Sequence, residues 1–149
     1  MTLDVRAAAA RVIGDVLGGH SLNQALPKRL SQVSERDRSL LQQLCYGTLR
    51  QAPRLQAILG QLLEKSLRDK DRDLQALLLC GLYQLEGTRV PDHAAVGATV
   101  DATRVLKKHW AKGVVNAILR RYLRERAQLT QSLEPAAADL EPITRMLAP

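Results

Sequence analysis

The sequence contains no phenylalanine, one tryptophan and three tyrosines in 149 residues. Binding nucleic acid by stacking needs exposed rings, so an aromatic platform for bases is not expected. Cysteine is almost as scarce. Cys45 and Cys80 stand 35 positions apart, with no CxxC and no Cys/His cluster. That excludes a zinc site of the usual spacing and suits the reducing cytosol, so the expected location is cytoplasmic. Both fall in apolar helical stretches and read as buried structural thiols. No apolar run approaches the roughly 18 residues of a membrane span. Asp4, Arg6, Arg11 and Asp15 interrupt the first nineteen residues, which are therefore not a signal peptide. Also missing are a P-loop, a GxGxxG turn and any strand pattern, so no doubly wound sheet is expected to hold a nucleotide. His20, His93 and His109 have no nucleophile or metal-ligand partner at motif spacing.

What is present is helical periodicity. Val5, Ala9, Val12 and Val16 recur at 4-3-4 spacing, widened by Ile13 and Leu17, and Gly18-Gly19 ends that helix. Ser21 with Gln24 opens a second helix to about Leu30, strained by Pro27. Ser34 with Asp37 resembles a cap and opens a third helix, carrying Leu40, Leu41, Leu44, Cys45, Thr48 and Leu49 up to a break at Pro53. Leu55, Ile58, Leu59, Leu62 and Leu63 continue over 54–64. Residues 72–86 are apolar on nearly all sides, which predicts a central helix ended by Gly87. Pro91 suits the first turn of a helix running to about Lys107. A last helix is predicted over 110–128, with Ala111, Val115, Ile118 and Tyr122 as its apolar stripe. After Thr130 the composition turns to Ala and Pro. The expected organisation is a helical domain over 1–128 and a linker or frayed tail over 129–149.

Acidic residues are in short supply in one place. The net charge is +7, yet residues 101–126 alone hold eight basic and two acidic side chains. Arg104, Lys107, Lys108, His109, Lys112, Arg120, Arg121 and Arg124 form the candidate face there, with Asp101 and Glu125 as its only acids. Such a patch neutralises phosphates and releases counterions, so it would bind RNA or DNA with strong salt dependence. A solvated helix face is the bland alternative. Arg6 and Arg11 on the first helix are a sparser second group, rotated about 140° apart. Asn116 and His93 read as capping residues. Tyr46, Tyr83 and Trp110 read as core.

Three stretches carry a resemblance: RDRSLLQQLCYGTLRQAPRLQAIL, LLLCGLYQLEGTRVPDHAAVGATVDAT and KKHWAKGVVNAILRRYLRE. Together they resemble the N-terminal domain of the bacterial 16S ribosomal RNA cytosine-5 methyltransferase B family, in the superfamily of the antitermination factor NusB. The resemblance covers about residues 4–126. It implies an all-α fold of two packed three-helix bundles and a role in binding ribosomal RNA. Methyltransferases of this family carry a further Rossmann-like domain that binds S-adenosylmethionine and supplies two catalytic cysteines, one in a Pro-Cys motif. This chain has no Pro-Cys dipeptide. No catalytic residue, metal or cofactor is therefore expected in it, and the methyltransferase domain is expected in cis. The alternatives are a stand-alone NusB-like regulator that binds RNA and a ribosomal protein, or a protein-docking or dimerisation module. NusB's RNA contacts involve an arginine-rich first helix. An alanine run replaces most of it here, which moves the expected RNA site to the C-terminal basic helix.

Overall fold

The computed structural model describes residues 2–147, with side chains described through Gln131. Seven α-helices follow in order: α1 (Val5–Leu17), α2 (Leu22–Leu30), α3 (Arg38–Arg50), α4 (Ala52–Leu62), α5 (Arg72–Leu85), α6 (Asp92–Val105) and α7 (Lys112–Leu147). Single 3-10 turns at Glu35–Asp37, Asp69–Asp71 and His109–Ala111 lead into α3, α5 and α7. Among the described residues there is no strand, so the fold is all-α.

Local chemistry sets the boundaries. The Asp4 carboxylate accepts from the backbone N–H groups of Arg6 and Ala7, both at 2.9 Å, and caps α1. Ser21 caps α2 by accepting from the Asn23 N–H at 3.1 Å. Gly19 and Gly87 adopt φ of 105° and 108°, the left-handed conformation that stops α1 and α5. Pro53 lies in the first turn of α4, where its missing N–H costs nothing. Pro91 sits one step earlier than expected, as the extended N-cap of α6 (ψ 143°).

α1, α2 and α3 pack on one another, α5, α6 and α7 form a second bundle, and α4 lies across α5 and α7. The α1–α5 contact is the most extensive and fuses the two groups. α5 is central as predicted, buried at ten positions. α1 is central too, and this differs from the sequence reading. Ala7, Ala8, Ala9 and Ala10 are all fully buried, so that stretch is enclosed on every side, not merely along one stripe. Four methyl-sized side chains let neighbouring helix backbones approach closely, which a larger residue would prevent.

α7 carries on past the expected end near residue 128, because Leu129 is buried and extends the stripe of Val115, Ile118 and Tyr122. The expectation of a linker or frayed tail over 129–149 falls, past Gln131, on residues whose side chains lie outside the described set. Two aromatic assignments are corrected. Trp110 is 64% exposed and Tyr46 49% exposed, so neither is core. Trp110 lies on the 3-10 turn ahead of α7, where Ala111 takes the inward position.

Candidate nucleic-acid interface

The basic side chains separate into two kinds once their partners are known. Lys108 is structural. Its ammonium pairs with Asp71 at 3.2 Å and with Asp73, and donates to the Lys70 carbonyl at 2.9 Å. Burial alone would lower its pKa, but hydrogen bonds and charge from Asp73 and Asp71 prevail and hold it above the ordinary lysine value. It ties the α6–α7 loop to the start of α5. Arg121 pairs with Glu125 one turn on and donates to the Leu62 carbonyl at 3.4 Å. Arg6 donates to Gln84 Oε1 at 3.1 Å, and Arg11 to the Val105 carbonyl at 3.5 Å. These two arginines therefore hold α1 to α5 and to the end of α6.

The other candidates of the basic stretch are free of acidic partners. Arg104, Lys107, Lys112 and Arg124 are exposed, and no described side chain neutralises them. Arg120 is exposed and bonded only to the neutral Asn116, whose Oδ1 accepts from its Nε at 3.0 Å. Asn116 thus orients a cation on the outer face and caps no helix. His93 is exposed on the first turn of α6 and makes no cap bond.

The unpaired basic side chains occupy two places. Arg104, His109 and Lys112 line a cavity of about 150 Å³ with Val100, Asp101 and Thr103, and Lys107 stands on the loop between the two helices that form it. Arg124 lines a larger, open groove of about 710 Å³ beside Asp92 and Arg126. Arg126 is itself paired with Asp92 at 3.1 Å and lies 5.5 Å from the centre of the Tyr122 ring.

Around Lys108 the fold brings Arg29, Lys70 and Arg72, which the sequence reading did not select, beside the candidate Arg11. Arg11, Arg29, Lys70 and Arg72 converge on a cavity of about 280 Å³ with Asp15 and Asp73. They come from α1, α2 and the entry to α5. Because Lys108 bonds to Lys70 and Asp73, this cavity adjoins the loop that carries Lys107. Acids accompany these cations: Asp15 and Asp73 line the same cavity and Arg72 pairs with Asp69 at 3.9 Å, so the charge here is largely balanced and the unpaired cations of this end are Arg104, Lys107 and Lys112.

Neither cysteine is placed to act as a nucleophile. Burial pushes the thiols of Cys45 and Cys80 up to about 12, so neither is a thiolate near neutral pH. No group of His, Cys, Asp and Glu among the described residues could hold a metal ion, and no described helix is long and apolar enough to cross a membrane.

Comparison with known proteins gives a consistent picture. The NusB family model matches residues 3–124. The chain is 52% identical over 133 residues to the ribosomal RNA small subunit methyltransferase B of Pseudomonas putida, covering 89% of this chain and 30% of that protein. It is 47% identical over 130 residues to the protein of the same name from Vibrio vulnificus, with 87% and 30% covered. For the one from Pasteurella multocida the figures are 45% over 141 residues, with 94% and 32% covered. The chain thus spans about a third of the length of the relatives it matches.

Proposed function

The chain belongs to the NusB family, and from that premise we propose that it is an RNA-binding domain that docks 16S ribosomal RNA for a methyltransferase. Relatives such as the one from Pseudomonas putida, 52% identical, are named as methyltransferases of small-subunit ribosomal RNA, which supports this reading over a free-standing regulator. The chemistry of an S-adenosylmethionine-dependent cytosine-5 transfer is assigned to a further domain in cis. Ribosomal RNA is the proposed partner, and the cytoplasm, where buried thiols stay reduced, the proposed compartment.

One observation carries the reading: Arg104, Lys107 and Lys112 lie on one end of the bundle with no acid neutralising them. Fixed cations on a rigid scaffold hold phosphates and set the register of a bound strand, while base choice and chemistry lie elsewhere. A gel-shift titration with a 16S fragment at low and moderate salt tests it. Binding at low salt that weakens on adding salt, and at least tenfold weaker binding by the Arg104→Ala, Lys107→Ala, Lys112→Ala triple variant, is expected. Equal affinity of the triple variant would remove this end as the site. No binding at either salt would leave a protein-docking module.

A further inference from the structure

The one tryptophan of the chain sits inside the uncompensated basic cluster. Trp110 is the most exposed large apolar side chain among the described residues, at 64%, and Val114, one turn further on, is 45% exposed. Lys107 and His109 precede the ring and Lys112 follows it, all exposed. Trp110 and Val114 are thus two exposed apolar side chains four positions apart, interleaved with Lys107 and Lys112, and Asp101 is the acid lining the adjacent cavity of Arg104, His109 and Lys112.

Leaving a large indole in water forgoes the free energy of its burial. A protein partner could cover it, but the flanking cations would then need a matching acidic rim. A nucleic-acid strand offers both complements at once, a flat π face for the ring and phosphates for the lysines. In a duplex the base faces are stacked inside and beyond the ring's reach. Only an unpaired base can lie on Trp110.

We propose that Trp110 stacks on an unpaired base, so that this end of the molecule takes single-stranded RNA in preference to a duplex. The Lys107 and Lys112 ammonium groups hold the phosphates on either side of that nucleotide, and Val114 extends the apolar floor beneath it. This rests on the RNA-docking reading and narrows it to a class of strand.

The experiment uses the 149-residue chain with a single-stranded oligoribonucleotide and the duplex of the same sequence. Because the protein has one tryptophan, its fluorescence reports on this ring alone. Titration with the single strand is expected to quench the emission. Trp110→Ala should lower single-strand affinity about tenfold, leave duplex affinity and the salt slope unchanged, and melt like the wild type because the ring is exposed. Trp110→Tyr should restore part of the affinity. Lys107→Ala with Lys112→Ala should weaken both strand forms. If Trp110→Ala binds the single strand as tightly as the wild type while the lysine variant weakens it, stacking is overturned and docking stands. If neither strand form binds at low salt, both readings fall.

Discussion

Lys108 shows how little a formal charge says about where it acts. Only 17% of its side chain is exposed, and it faces Asp71 and Asp73, with 9% and 27% exposed. Replacing it with alanine leaves a nearly buried carboxylate unpaired, so Lys108→Ala should cost about 1–3 kcal/mol of stability in urea unfolding. It should leave the salt dependence of RNA binding unchanged, because the ammonium is committed inside the fold. An unchanged unfolding midpoint, or a shallower salt slope, would contradict this assignment. The thiols and the Tyr122 phenol set the alkaline limit. Burial holds Cys45 and Cys80 protonated to about 12 in the folded protein, against an ordinary value of 9.0, and raises Tyr122 from 10.0 to about 12. The unfolded chain loses these protons first, so stability should be full below pH 9 and decline as pH rises from 9 towards 12. Lys108, raised above 10.5, acts in the same direction. Urea midpoints measured across that range check it, and a flat profile would contradict the burial. A thiol reagent at neutral pH should modify neither cysteine until the protein unfolds.

The end of α6 carries a cation where backbone geometry favours glycine. The Lys107 N–H donates to the Arg104 carbonyl at 3.0 Å and the Lys108 N–H to the Thr103 carbonyl at 2.8 Å. These are the two hydrogen bonds of a Schellman motif, and Lys107 takes its left-handed position with φ of 62°. Lys107→Gly should therefore stabilise the protein by a few tenths to about 1 kcal/mol while weakening RNA binding. Thermal unfolding and a binding titration on one variant read both. A destabilised variant, or one that binds as the wild type does, would contradict the dual role assigned to this residue. At the same scale, what could be read in advance depended on residue type. Leucine-rich α5 declared itself central because leucine on every face has no other explanation. The alanines of α1 did not, since alanine is equally at home on an exposed helix as a strong helix former. Trp110 reads as core from the sequence because an aromatic ring in a helical pattern is usually buried, and only the turn ahead of α7 shows that Ala111 takes the inward position in its stead.

At the scale of the whole molecule, the candidate site is a property of the fold. The excess charge of residues 101–126 is legible in the sequence, but which of its members are free is not. Lys108 and Arg121 meet their partners across 35 and 59 positions or along their own helix. Arg29, Lys70 and Arg72 line a neighbouring cavity together with Arg11, Asp15 and Asp73, a grouping that only the fold reveals. The proposed binding surface is the α6–α7 end, with Arg120 and Arg124 further along α7 proposed as a second contact. The most direct measurement is the slope of log affinity against log salt for a single-stranded 16S fragment, comparing the wild type with the Arg104→Ala, Lys107→Ala, Lys112→Ala variant. Each lost phosphate contact on a single strand reduces the slope by about 0.7, so the account predicts a slope shallower by about 2 for the triple variant. Parallel slopes for the two proteins would show that these cations touch no phosphate, and would contradict it.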